Sequence, residues 1–424
     1  MISYNEAVEK IFSLRRLGMK LGLENVKRFL SVLGNPQMKL KIFHVAGSNG
    51  KGSTVAFLSS ILQEAGYKVG MFTSPHFVDF RERIKINGKE IGKEYITEFV
   101  SQHIDFIEEK RITFFEITTA MAFRYFFEQN VDYAVIETGL GGRLDATNTA
   151  NPIAEIITSV SLEHTRILGD TIEKIAREKA GIIKQNGKVF CGFLPDAALR
   201  EINKISEEKN AECFPLNNFA IVKDDFLKLK FDLHNEITLY KTGLRGAHQL
   251  RNASLAVLTL RKIFLKLEFE IINNGLMNVV KNTGLSGRFE IVSESPLVIF
   301  DSAHNVESVE SFVNEFEKNY FSRCSTKHLI YGALRDKNVT EILKILGKTF
   351  DEILFTKIDF YRALTPEELH NKAKNLGLKK IVILENPTEY ILQFIKTPSS
   401  DCLVVLGSIY LLGEIKKELQ TTDG

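Results

Sequence analysis

The sequence predicts an α/β protein of two domains, each built on a mostly parallel sheet, with a small antiparallel insertion in the first. Three observations carry this. Short apolar runs alternate with segments of helical period through the first half. Between about Phe214 and Thr242 that alternation gives way to short pieces of period two. At "KNTGLSGRFE", two glycines and several polar residues punctuate the chain before strand-like runs resume, which puts a boundary between residues 1–285 and 286–424.

In order, "KIFHVAG" reads as a buried strand and "STVAFLSSILQEAG" as a helix stopped by Gly66. "KVGMFTS" is again a strand, "FFEITTAMAFRYFFEQN" a helix, and "DYAVIETG" and "IAEIITSV" strands. "FAIVKDDFLKLKFDLHNEITLYKT" reads as an antiparallel hairpin or meander, followed by a helical pair from "HQLRNASLAVLTLRKIF" to Val280. Beyond the boundary, "LVIFDSAHN", "KHLIYGAL", "EILFTKI", "KKIVILE" and "DCLVVLGS" are strands separated by helical stretches. Two α/β domains make a site between them the natural expectation.

Composition narrows the function classes. A chain of 424 residues with 44% hydrophobic and 25% charged content can bury a large core. A net charge of +2 provides no global field for nucleic acid or an anionic membrane, so neither is expected as a partner. Cys191, Cys213, Cys324 and Cys402 form no C-x-x-C pair and read as small buried hydrophobes in a reducing compartment. The opening "MISYNEAVEKIFSLRRLGM" lacks an apolar signal-peptide core, and no apolar run approaches the roughly 20 residues of a membrane span. The expected location is the cytoplasm. "EKNYFSRCSTK" reads as a solvated face.

Chemistry concentrates at strand ends. "HVAGSNGKGST" is entered by a strand and left by a helix, so backbone N–H groups and the positive helix end converge on one small volume suited to a polyphosphate. Glycines admit close approach, Lys51 adds a point charge, and Ser53 or Thr54 could reach a metal ion. The loop departs from G-x-x-x-x-G-K-[ST], because two residues separate Gly47 from Gly50 and Gly52 stands between Lys51 and Ser53. In "TSPHFVDFRERIKING", Ser74 and His76 are expected near that loop, since parallel strands share one carboxyl edge. Arg81 and Arg83 could meet an anionic substrate, or simply face solvent. "AVIETGLGGRLDATN" places Glu137 at a strand end, suited to a magnesium ion on nucleotide phosphates. "SLEHTRILGDTIEKIAREKAGIIK" adds His164 and Lys179, the latter where the run turns apolar and burial would make the amine adjustable.

Together, GSNGKGST, TSPHFVDFRERI, TFFEITTAMAF, ETGLGGRLDATN, EHT, REKAGI, HQLRNA, GRFE, DSAHN and GALRDKN, in this order, closely resemble the folylpolyglutamate synthase/dihydrofolate synthase family of the Mur ligase superfamily. The resemblance implies a phosphate-loop ATP-binding domain over 1–285 and a Rossmann-like glutamate-ligase domain over 286–424. It implies that ATP phosphorylates a substrate carboxylate, that glutamate attacks the acyl phosphate, and that ADP and phosphate leave. Ser48, Asn49, Gly50, Lys51, Gly52, Ser53 and Thr54 match the ATP loop. Ser74, Glu137 and His164 match magnesium ligands, and Lys179 matches a lysine that becomes carbamylated and helps hold a second magnesium ion. Asn252, Arg288 and Asp301 match second-domain residues that bind nucleotide from across the cleft. His304 and Ser408 match the region receiving L-glutamate. Thr113, Phe114, Phe115 and Glu116, on a helix, and Leu144, Asp145 and Ala146, in a loop, match segments contacting the pterin of dihydropteroate or a reduced folate. Lys51, Lys179 and His304 are the catalytic candidates, and the family implies a monomer.

Ser48, Glu163 and Ser302 stand where threonine, aspartate and glycine are commoner in the family, changes that remove no metal ligand. Two other readings compete. A Mur-type cell-wall ligase usually carries a separate N-terminal nucleotide-sugar domain, and only 46 residues precede Gly47. A phosphate-loop nucleotide switch without ligation would not need the lysine of REKAGI or the second α/β domain.

Overall fold

The structure, a computed structural model, describes residues 2–14, 22–222, 226–232, 235–239 and 241–422. Part of the N-terminal stretch, Arg15–Leu21, and Lys223–Asp225, Leu233, His234 and Tyr240 of the expected meander lie outside the described residues. The chain divides into two compact units. The first comprises Met1–Pro75, Phe80–Gly243 and Gln249–Leu285; the second comprises His76–Asp79, Leu244–His248 and Ser286–Gly424.

Among the described residues, the first unit holds an eight-stranded sheet of β1 (Ile42–Ala46), β2 (Val69–Phe72), β3 (Ile84–Ile86), β4 (Lys89–Glu90), β5 (Tyr133–Glu137), β6 (Ala154–Ile157), β7 (Lys188–Cys191) and β8 (Glu212–Pro215). Its order is β4-β3-β2-β5-β1-β6-β7-β8. All pairs from β2 to β8 are parallel, and β3 and β4 add an antiparallel edge. The central strands are apolar nearly throughout because helices cover both faces. The Lys51–Glu64 helix is buried at every position from Ser53 to Leu62, and Gly275 of the Phe269–Met277 helix lies against its Ile61 backbone, where any Cβ would collide. β9 (Ala220–Val222), β10 (Leu227–Asp232) and β11 (Asn235–Leu239) form the expected antiparallel meander.

The second unit is a six-stranded sheet of β12 (Glu290–Glu294), β13 (Leu297–Phe300), β14 (Lys327–Tyr331), β15 (Glu352–Phe355), β16 (Ile381–Ile383) and β17 (Cys402–Leu406), ordered β12-β13-β17-β14-β15-β16. Only β12 is antiparallel within it. Strands β3, β4 and β12 escape a periodicity reading because they are short or partly polar.

One expectation needs correction. Asn252 lies in the first unit, on the Ala247–Ile263 helix. His76 clusters with the second unit while Ser74 stays with the first. "EKNYFSRCSTK" is largely solvated, with Glu317, Lys318, Phe321, Ser322, Arg323 and Ser325 exposed, while Tyr320, Cys324 and Lys327 are buried, Lys327 Nζ lying 3.2 Å from Asp351 Oδ2 and 4.4 Å from the centre of the Phe321 ring. A lysine stem covers apolar surface whenever its ammonium reaches a carboxylate at the edge. The four cysteines are free thiols, Cys191 and Cys213 meeting at 4.0 Å across β7 and β8. Among the described residues, no helix is long and apolar enough to cross a membrane.

Candidate active site

The order β2-β5-β1-β6 places four motifs at the carboxyl ends of four neighbouring parallel strands. β1 runs into GSNGKGST, β2 into TSP, β5 into ETGLGG and β6 into the segment ending at EHT. Strand ends on one edge of such a sheet are where ligand-binding loops converge.

The phosphate loop is fastened from the β6 side. Ser48 N donates to Ser159 O at 2.9 Å, Asn49 N to Ser159 Oγ at 2.8 Å, and Ser161 N to Ser48 Oγ at 3.0 Å. Thr158 Oγ1 donates to Asn49 O at 2.6 Å. Ser48 and Asn49 therefore hold the loop's shape, and Thr158, Ser159 and Ser161 are partners that no motif match singled out. The Lys51–Glu64 helix begins at Gly50, whose φ of 80° is left-handed, with no side chain capping it. The first-turn N–H groups of Lys51, Gly52 and Ser53 have no acceptor within the helix and sit at its positive end. Lys51 Nζ folds over the loop onto Gly47 O and Ser48 O, both at 3.0 Å. Thr54 Oγ1 is buried in the first turn without a partner. A Cβ on Gly50 would strike the Asn252 side-chain amide, so Asn252 touches the phosphate loop within its own unit. Gly50→Ala adds both the left-handed strain of about 1–2 kcal/mol and this collision; the KM for ATP is expected to rise about tenfold, and an unchanged KM in steady-state assays would refute the cradle.

Ser74 N donates to Glu137 Oε2 at 3.0 Å, joining the β2 and β5 loops. Glu137 is buried, and Thr138 Oγ1 beside it is buried without a partner. Beyond β6, His164 has a left-handed φ of 50° and lies with Nε2 3.6 Å from Glu163 Oε1. Lys179, near the end of the Ile172–Ala180 helix, is 2% exposed. Burial lowers its pKa to about 7, with the Lys51 charge adding to the fall and Glu163 opposing it. Gly142 packs directly on the carbonyls of Glu178 and Lys179, tying the β5 loop to that helix.

Among the described residues, no three His, Cys, Asp or Glu side chains gather as a metal cage. Ser74, Glu137, His164 and Lys179 instead offer a hydroxyl, one carboxylate, one imidazole and an adjustable amine. That sparse set fits magnesium, which keeps water and takes phosphate oxygens alongside one or two protein carboxylates.

On the neighbouring face, Thr113 and Glu116 form a reciprocal cap: Thr113 N donates to Glu116 Oε2 at 2.7 Å and Glu116 N to Thr113 Oγ1 at 3.4 Å. Both are buried, whereas Phe114 and Phe115 are half-exposed. The Arg83 guanidinium lies 5.1 Å over the Phe114 ring and is itself buried, so it does not belong to a solvated loop. Phe115 packs against Gly139. Asp145 is buried with both oxygens engaged: Oδ2 accepts from Gly139 N and Leu140 N, each at 2.8 Å, and Oδ1 from Thr147 N at 3.0 Å and Thr147 Oγ1 at 2.5 Å. Leu144 is half-exposed and Ala146 buried beside it.

In the second unit, DSAHN leaves β13 and Gly407–Ser408 leaves its parallel neighbour β17. Asp301 is buried and accepts from Phe289 N at 2.6 Å and Ala303 N at 2.7 Å. Burial pushes its carboxyl up while the Arg288 charge holds it down. Arg288 Nη1 donates to Gly287 O at 3.3 Å. His304 Nδ1 donates to Ser302 O at 2.9 Å, which in the neutral ring leaves the lone pair on Nε2. Ser408 is buried and its Oγ accepts from Tyr410 N at 3.1 Å.

The Mur ligase middle domain matches residues 45–260, and the Mur ligase glutamate ligase domain matches residues 287–409. Over 433 residues the chain is 36% identical to the dihydrofolate synthase/folylpolyglutamate synthase of Bacillus subtilis, with 99% of each chain covered. It belongs to the Mur ligase family of dihydrofolate and folylpolyglutamate synthases. An Escherichia coli FolC structure in complex with DHPP and ADP superposes on this Mur ligase with a TM-score of 0.87 at 28% identity, covering 100% of both chains. A bifunctional folylpolyglutamate synthase/dihydrofolate synthase with Mn, AMPPNP and L-glutamate bound superposes with a TM-score of 0.84 at 29% identity, covering 98% of each. The Mur ligase motifs thus carry through to fold and family, while the loop-fastening residues around Ser159 had no sequence signal beyond being small hydroxyls at a strand end.

Proposed function

We propose that this chain is an ATP-dependent ligase that joins L-glutamate to dihydropteroate and to reduced folates through an acyl phosphate, releasing ADP and phosphate. The observation that carries the reading is the uncapped helix N-terminus at Gly50–Ser53, sharing one sheet edge with Glu137, with Lys51 close enough to a buried lysine, Lys179, to help lower its pKa to about 7. A carboxylate is a poor electrophile, and bringing it to a γ-phosphate sets like charges together, so the site must supply positive charge that is already in place.

In this reading the Gly50–Thr54 turn and Lys51 hold the nucleotide phosphates, with Asn252 bracing the loop, and Arg288 and Asp301 keep the nucleotide-binding role that the family resemblance gives them. Ser74, Glu137 and His164 would hold magnesium, and the Lys179 amine, on adding carbon dioxide and losing a proton, would supply a carboxylate for a second ion. Magnesium, when bound, neutralises phosphate charge and polarises the transferring phosphoryl group. Phe114, Phe115 and the Leu144–Ala146 loop receive the pterin, and His304 and Ser408 receive the incoming glutamate. The working form is a monomer in the cytoplasm, a point that sedimentation of the purified chain would check.

The test is phosphate release. Purified chain with ATP and magnesium should release phosphate only when L-glutamate and an acid substrate are both present, dihydropteroate and tetrahydrofolate being assayed side by side. Hydrolysis that ignores both acids and glutamate would favour a nucleotide switch and overturn the reading.

A further inference from the structure

His44 is a polar residue inside the apolar strand β1, and it is 0% exposed. Burying an imidazole costs free energy unless it makes a hydrogen bond worth having. Its Nε2 lies 2.7 Å from Thr147 Oγ1, a residue 103 positions away. Thr147 has one hydroxyl proton, and that proton is given to Asp145 Oδ1 at 2.5 Å. Nε2 must therefore be the donor, so the ring is neutral with its proton on Nε2 and Nδ1 without a partner. Burial, reinforced by the Lys184 charge, lowers the His44 pKa to about 3, which keeps it neutral.

The direction of this relay follows from topology. β1 lies between β5 and β6, and His44 pairs in register with Ile136 and Glu155. The segment joining β5 to β6 must cross β1, and it does so with only the short 3-10 turn Ala146–Thr149, not a full helix. His44 reaches that crossover from the strand beneath it. Its other side is pinned by Asn148, whose Nδ2 donates to Arg143 O and Gly181 O, both at 3.0 Å, and which accepts from Lys184 Nζ at 2.7 Å. A crossover this short has no hydrophobic helix face to hold it, so hydrogen bonds set its height over the sheet.

We propose that the buried series from His44 Nε2–H to Thr147 hydroxyl to Asp145 carboxylate positions the 139–146 loop for the acid substrate, which makes His44 and Thr147 positioning residues of the site. This rests on the ligase reading above. The phosphate loop is fastened separately, through Ser159 and Ser161, so the relay acts on the acid and not on ATP.

The experiment uses the full chain with His44→Leu, which keeps the volume and removes the donor, His44→Gln, whose amide nitrogen can stand near Nε2, and Thr147→Val, which cuts the same relay one bond further on. The KM for dihydropteroate should rise roughly tenfold in His44→Leu and Thr147→Val, while the KM for ATP stays within about twofold. The double variant should be no worse than either single, and His44→Gln should recover most of the loss. Equal rises in both KM values, or a lowered melting temperature with unchanged kinetics, would overturn the proposal. Dihydropteroate binding followed by pterin fluorescence forms the second arm. If the unaltered chain binds dihydropteroate but does not ligate it, the ligase reading falls and the relay is still judged by binding; if it does not bind at all, both fall. Should His44→Leu fail to fold, His44→Gln and Thr147→Val carry the comparison.

Discussion

Lys179→Ala is expected to lower glutamate-dependent phosphate release by roughly 10³-fold while changing ATP affinity by less than about threefold. Lys179 is buried, and burial lowers its pKa to about 7, so far more of its amine is neutral at physiological pH than in an exposed lysine. An exposed lysine would be almost wholly protonated there and would have no lone pair to add to carbon dioxide. The shift has two sources in the fold: apolar surroundings near the end of the Ile172–Ala180 helix and the Lys51 charge. Alanine removes a side chain that becomes anionic only after that addition, so nucleotide contacts through Gly50–Ser53 persist. Steady-state assay and equilibrium nucleotide binding measure the two quantities separately. A carbamate carbon signal after exposure to ¹³C-bicarbonate, present in the unaltered chain and absent in the variant, would identify the modified group. Turnover within a fewfold of the unaltered chain would remove Lys179 from the mechanism.

Glu137→Gln is expected to cost about 10²-fold in kcat/KM, with part of the loss regained at high magnesium. Glutamine has the same length and can still accept from Ser74 N, so the join between the β2 and β5 loops survives. What disappears is the negative charge at the strand end, the one carboxylate in the sparse donor set. Thermal stability should change little, and titration of activity against magnesium should show a weakened requirement midpoint. A melting temperature that collapses, with metal dependence unchanged in the residual activity, would instead make Glu137 a structural acceptor for the Ser74 loop.

How legible these features were in the sequence depended on their range. Strand and helix periods are written locally, so the β1 run, the helix after it and the β5 run were readable directly. Strands β3, β4 and β12 were not, because two to five partly polar residues carry no period. Thr113 and Glu116 drew attention as pterin contacts, and their positions carry a second meaning: spaced three apart at a helix start, they are a capping box. Asn252 packs in the first unit although its motif precedes the boundary by only some thirty residues, because motif order does not say which body a helix packs on.

The sequence by itself determined the α/β class, the boundary after Leu285 as an expectation, and, through ten motifs in fixed order, the family and its phosphoryl chemistry. Those are properties of local composition and spacing. Tertiary structure alone decided that β2, β5, β1 and β6 are neighbours and so bring four distant loops to one edge. It also buried Lys179 deeply enough to shift its pKa, set Asn252 against Gly50, and joined His44 to Thr147 across 103 residues. Strand order and burial emerge from how crossovers pack over the sheet, a long-range outcome that no window of sequence contains.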